Sequence, residues 1–202
     1  MKKGVKSLLI VLAVIFVCIF GFYRFWAGNY NQMVSMDENV TSQWAQVQNQ
    51  YQRRLDLIPN LVATVKGYAS HESEVYEKVA EARSAAGGVV NIDSSVLDDP
   101  EQFKKYQQIQ NNLSSSLQRL LMVTENYPEL KANQNFLALQ DQLEGTENRI
   151  ATERKRFNDA AQAYNTFIRQ FPRAMIANMS GFKAKQYFTA SDSAQTAPQV
   201  QF

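Results

Sequence analysis

A chain of 202 residues, 45% of them hydrophobic, is long enough to bury one core without help from metals or cross-links, and its single cysteine excludes an intramolecular disulfide. The formal charge of +2 is unevenly placed: setting Lys2, Lys3 and Lys6 aside takes the 21 basic residues to 18, against 19 acidic ones. The rest of the chain is near neutral and lacks the electrostatic attraction that nucleic-acid binding requires.

Residues 1–6 form a basic flank, and the segment 7–26 reads as a transmembrane anchor. Ser7 to Tyr23 is an uninterrupted uncharged run. As a helix it reaches about 26 Å, slightly short of a ~30 Å hydrocarbon core. Tyr23, Phe25, Trp26 and Tyr30 are suited to the headgroup layer, and Lys6 and Arg24 can snorkel outward. No small-residue cleavage site follows, and the residues before Cys18 are too bulky for a lipidated cysteine, so an uncleaved single-pass anchor is expected. Three lysines precede the span, whereas Arg24, Asp37 and Glu38 follow it. The positive-inside rule then puts the N-terminus in the cytoplasm and the bulk of the chain outside.

Beyond Trp26 the hydrophobic period is helical. Val40, Trp44, Val47, Tyr51, Leu55, Ile58, Val62 and Val65 recur at steps of three or four, which predicts a long first helix. Pro59 lies inside it, lacking an N–H and crowding the carbonyl of Leu55. Because the stripe keeps its register, a kinked continuous helix is expected rather than a hairpin. Val75, Tyr76, Val79 and Ala82 carry the pattern to about Ala86, where Gly87-Gly88 stops it. Residues 87–99 read as the one sizeable internal loop. Asp99-Pro100-Glu101 supplies a cap, a proline at the first helical position and an acid in the first turn, which starts a second helix ending near Asn126. Asn126, Pro128 and Glu129 predict a capped third helix whose stripe runs from Phe136 to Phe171 and ends at Pro172. A short helix up to Gly181 and an apolar extension to Phe188 follow. Such stripes must pack on one another, so an all-α helical bundle results.

The polar residues Asn49, Gln50, Arg53, Arg54, Asp56 and Asn60 crowd the seam near Pro59. They read either as a buried layer fixing helix register, with Glu147 and Arg149 across the bundle, or as a docking groove for a ligand. Trp44, Val47 and Tyr51 are expected to remain partly exposed below the kink and to mediate self-association, since Trp and Tyr anchor interfaces. His71-Glu72 begins like a zinc-binding helix, but Val75 occupies the place of the second histidine. Glu72, Glu74, Glu77 and Glu81, with Lys78 among them, read more simply as a solvated face. Arg149, Arg154, Lys155 and Arg156 form a basic cluster suited to phosphate or anionic lipid, or to a salt-bridged helix face. No phosphate-binding glycine loop or nucleophile elbow occurs.

Taken together, Tyr30-Asn31, Trp44-Ala45-Gln46-Val47, Asn49 to Arg54, Asp56 to Val62, Val65 to Tyr68 and His71-Glu72 resemble the signature of the LemA family of bacterial membrane-anchored proteins. Tyr127 to Ala132, Glu147 to Ala151, Tyr164-Asn165, Phe171-Pro172, Gly181-Phe182 and Tyr187-Phe188 continue the resemblance in order. It implies an N-terminal membrane anchor and an antiparallel four-helix bundle over 29–188, and no particular activity.

Two function classes follow. The first is a non-catalytic, membrane-tethered scaffold of the bacterial inner membrane, self-associating or recruiting envelope proteins or lipid, with no cofactor, metal or catalytic residue. The second is an enzyme or enzyme subunit with a site assembled around Asp56 and His71. Residues 189–202 have linker composition but finish in Val200-Gln201-Phe202. Val200 and Phe202 suit capture by a strand-adding groove, folding back on the bundle, or an unstructured end.

Overall fold

The computed structural model describes residues 3–189, with side chains from Leu8 onward, and within that range every regular element is helical. Helix α1 runs from Lys3 to Lys66, 64 residues and about 96 Å, so anchor and bundle share one uninterrupted helix. Leu8 to Phe25 are exposed on every face, as lipid contact demands, and the segment has the length and composition to cross a membrane. Trp26 is the first side chain to pack on the core, and Met33 the first fully buried one.

Helix α1 passes through Pro59 without reversing, as its register predicts. The missing N–H leaves the carbonyl of Leu55 without a helical donor. Arg83 fills the gap, its Nε donating to the Leu55 oxygen at 3.3 Å.

The chain turns back earlier than expected. Helix α1 stops at Lys66, and α2 occupies Ser73–Gly87 as a separate, antiparallel element. Residues 67–72 form a tight connection in which Tyr68 and Ala69 bond back to Val65 and the Tyr76 hydroxyl donates to the Ala69 carbonyl at 2.6 Å. Val65, Ala69, Tyr76 and Val79 are buried on both sides of the turn, so the apolar spacing is preserved through a reversal.

The loop contains a 3-10 turn, Ser94–Asp98, that buries Val96 and Leu97. Helix α3, Pro100–Thr124, starts as its sequence predicts: the Asp99 carboxylate accepts from the amides of Glu101 and Gln102 at 3.0 and 3.1 Å. The third long helix does not start at Asn126. A single turn, α4 (Pro128–Lys131), tucks Leu130 into the core, and α5 spans Gln134–Arg169. Asn133 caps α5, accepting from the Phe136 amide at 3.0 Å while its Nδ2 donates to Tyr68. A cap that also ties down the α1–α2 turn outcompetes the Asn126 signal. Helix α6, Arg173–Ser180, ends at Gly181, whose φ of 78° suits a residue without a Cβ.

The bundle is antiparallel and four-helical: α1 and α3 run away from the membrane segment, α2 and α5 return towards it. Helix α5 lies along α1, pairing Asn133 with Tyr68 at the far end, Glu147 with Arg54 in the middle and Arg173, just beyond α5, with Asn29 at the base. Large side chains fill the space between the α1–α5 and α2–α3 pairs. After Gly181 the extension Phe182 to Thr189 climbs back up the bundle as a strap, from Tyr30 to Gln107.

Candidate functional site

Arg54 sits where α1, α3 and α5 meet, 1% exposed. Its place on the α1 stripe, three residues after Tyr51 and four before Ile58, sends its long side chain inward. Nη1 donates to Ser114 Oγ at 2.7 Å and to Glu147 Oε1 at 3.0 Å, while Nη2 donates to Gln110 Oε1 at 2.6 Å. The guanidinium lies 5.1 Å from the Tyr51 ring centroid. Tyr51 in turn accepts from Arg154 Nε at 2.7 Å, and Arg154 lies over Phe188 at 4.8 Å. The result is a continuous ladder that starts at the Glu147 carboxylate and alternates cations and rings through Arg54, Tyr51 and Arg154 to Phe188. Burial pushes the Tyr51 phenol above its ordinary pKa, with Arg154 acting against the shift. Burial likewise raises Tyr106, edge-on to Tyr51.

The register reading of the polar cluster is met by Arg54 and Glu147; Gln50 is half-buried, its side-chain oxygen out of solvent and without a partner among the described residues, and the other residues named do not reach the seam. Asn49, Arg53, Asp56 and Asn60 point to solvent, and Asp56 accepts from Gln52 at 2.7 Å on the outer face. Arg149 is exposed and bonds to Gly145 of its own helix. Only side chains in phase with the stripe reach the seam.

Trp44, Val47 and Tyr51 also require correction. Trp44 is 2% exposed, and Val47 and Tyr51 are fully buried. The expected exposure assumed that α3 and α5 stop above this level, but both reach down beside it and the strap closes the remaining side. The Trp44 ring has Phe103, Tyr106, Phe157 and Phe188 around it at centroid distances of 5.0 to 6.1 Å.

A second polar centre holds the strap. Lys185, in the extension read from sequence as apolar, is buried between Asp37 at 2.9 Å and Asp98 at 2.8 Å. Burial alone would lower its ammonium pKa; the hydrogen bonds to Asp98 and Asp37 outweigh that and hold it above its ordinary value. Two asparagines of α5 then act as substitute strand edges. Asn165 bonds both the N–H and the carbonyl of Lys185 at 2.8 Å, and Asn158 does the same for Phe188 at 2.9 Å.

His71 is exposed in the α1–α2 turn, whereas Asp56 lies ten residues before the end of α1, about 15 Å along its axis. The fold does not bring the two together. Among the described residues no three of His, Cys, Asp and Glu converge as a metal site. Glu74 and Lys78 pair along α2, and Lys155–Asp159 and Arg156–Glu153 pair along α5, so much of both charged clusters is committed locally. Openings between α3 and α5 form a groove with hollows of about 490 and 310 Å³, and Ser114 and Glu147, partners of Arg54, line the second. Hollows of about 410 and 320 Å³ lie between α2 and α3. Val200 and Phe202 lie outside the described residues.

A sequence model described as the LemA family matches residues 43–202. The chain is 26% identical to magnetosome protein MamQ of Magnetospirillum gryphiswaldense, covering 98% of this chain and 80% of that protein. A MamQ protein of Paramagnetospirillum magneticum is likewise 26% identical, over 98% of this chain and 79% of its own length. Protein LemA of Metamycoplasma hominis is 23% identical over 94% of this chain and 81% of the relative.

Proposed function

The chain belongs to the LemA family, and on that premise we propose that it is a non-catalytic, membrane-tethered helical scaffold of the bacterial envelope that self-associates and recruits envelope proteins. The observation that carries the reading is the commitment of its buried charges. Arg54 bonds side chains of α3 and α5 through both Nη atoms, its Nε lacking a partner among the described residues, and Lys185 is held between two carboxylates of other elements, which is how buried ions fix a unique packing. Catalysis instead needs titratable groups converging on a concave site, and Asp56 and His71 face solvent in different places.

In this proposal the N-terminus is cytoplasmic and the bundle stands outside the inner membrane, in keeping with the three lysines before the span. Self-association passes from the Trp44 stripe to the rim of the α3–α5 groove, where Met122 and Leu137 are exposed large hydrophobics. The relatives named as magnetosome proteins align with nearly the whole length of the chain, and membership of one family leaves each member's partner to its own surface.

Light scattering on the detergent-extracted full chain tests the assembly. Particles containing more than one 23.0 kDa chain are expected, shrinking when Met122→Glu and Leu137→Glu are combined. A single chain per particle would overturn self-association. Membrane cross-linking with the Asp56→Asn, His71→Ala double variant tests the scaffold reading, for which capture of the same envelope proteins as the unaltered chain is expected.

A further inference from the structure

Helix α6 has two faces. Ile176 and Ala177 are buried against the bundle, while Met175 and Met179, one turn apart on the opposite side, are 58% and 74% exposed. Phe171, in the turn that leads into the helix, is 85% exposed. Three large apolar side chains spaced four residues apart thus form one unpartnered stripe.

Its position limits what can cover it. Arg173, the first residue of α6, bonds Asn29 at 3.0 Å, and Phe182, just past its end, packs on Tyr30 at 5.5 Å. Both ends of a helix about 12 Å long therefore meet α1 within one residue of each other, a rise of about 1.5 Å, so α6 lies across α1 rather than along it. With α1 crossing the bilayer, α6 runs along the membrane plane. Asn29 is only three residues, about 4.5 Å, above Trp26, whereas the headgroup layer adds roughly 5–7 Å to each side of the hydrocarbon core. Charge agrees with that depth: neither residues 1–36 nor residues 160–189 contain an Asp or Glu, and Arg169 and Lys183 flank α6 in exposed positions.

We propose that α6 and the Phe171 turn make a second contact with the bilayer, an interfacial one, with Phe171, Met175 and Met179 at the boundary of headgroups and acyl chains and Arg169 and Lys183 facing lipid phosphates. The bundle is then seated on the membrane surface as well as tethered through it. The inference rests on the anchor reading, and native Cys18, exposed within the span, separates the two.

The test uses the full chain in vesicles of phosphatidylethanolamine and phosphatidylglycerol that carry nitroxide-labelled lipid. A fluorophore on Cys18 reports the anchor. In a Cys18→Ser background, fluorophores at Met175→Cys and Met179→Cys report α6, and one at Ser70→Cys, in the exposed turn at the far end of the bundle, is the aqueous control. Quenching at 175 and 179 by nitroxide near the glycerol backbone is expected to exceed that at 70 several-fold, with the reverse order for aqueous iodide. Iodide access at 175 and 179 equal to that at 70, while Cys18 remains lipid-quenched, would overturn the interfacial helix and leave the anchor standing. Shielding from both quenchers would also overturn it, by assigning the stripe to a protein contact. Loss of lipid quenching at Cys18 would instead remove the anchor on which it rests.

Discussion

Arg83 stands in for the donor that Pro59 lacks, and a mutant cycle can isolate that role. Arg83→Ala is expected to cost about 1 kcal/mol through the unpaired Leu55 carbonyl, and the cost should largely vanish in a Pro59→Ala background, where the helix supplies its own N–H. Denaturant unfolding of the four proteins measures the coupling; equal costs in both backgrounds would detach Arg83 from the proline. Arg54→Ala should be more severe, about 3 kcal/mol, because Gln110 and Ser114 lose their charged donor in the interior, whereas Arg54→Met keeps the volume and should lose less. Arg54 was separable from Arg53 by phase alone: it falls on the line of Val47, Tyr51 and Ile58, and Arg53 does not. Arg83 left no comparable trace. Its partner is a backbone oxygen 28 positions earlier, and no side-chain pattern encodes that pairing.

Among the elements, the strap is the part that sequence reading placed least well. Its apolar residues were evident, but Lys185 meets Asp37 and Asp98 only after the chain has gone up and down the bundle twice, a convergence no local pattern carries. The α1–α2 turn was missed for a related reason, since a reversal that keeps apolar residues in phase imitates a continuing helix. The caps of α3 and α6 were legible because their signals, Asp99-Pro100 and Gly181, act within one turn. Removing the asparagine edges tests the strap. Asn165→Ala or Asn158→Ala each deletes two hydrogen bonds to strap backbone and should cost about 1–3 kcal/mol. Amide exchange should rise at Lys185 in the first variant and at Phe188 in the second; unchanged protection would mean that ring packing alone holds the segment. Phe188→Ala, which empties a site among three other rings, should cost about 3–5 kcal/mol in thermal or denaturant unfolding.

For the molecule as a whole, buried phenols and one buried ammonium set the alkaline limit of stability. Tyr51, Tyr106 and Tyr164 have raised pKa values because burial disfavours the phenolate, and Lys185 is raised by its two carboxylates despite burial. For every one of them the folded chain holds its proton more tightly than the unfolded chain. Their contribution is complete below the unfolded values near pH 10 and is lost as pH rises beyond them, by up to about 1.4 kcal/mol per pH unit for each group. Melting temperature should therefore be flat in this respect from pH 7 to about 9.5 and fall steeply above about 10.5. Tyr106→Phe, which removes a hydroxyl without a hydrogen-bond partner among the described residues, should soften that fall.

The unbroken course of α1 from the span into the bundle has a mechanical meaning. With no swivel between them, the azimuth of the anchor about its own axis is also the azimuth of the bundle. Whatever turns one turns the other, so neighbours that settle side by side through their spans also fix which faces of their bundles confront each other. A single residue inserted at Ala27-Gly28 would advance that angle by about 100° while lifting the bundle only about 1.5 Å, and would change who faces whom without altering any surface.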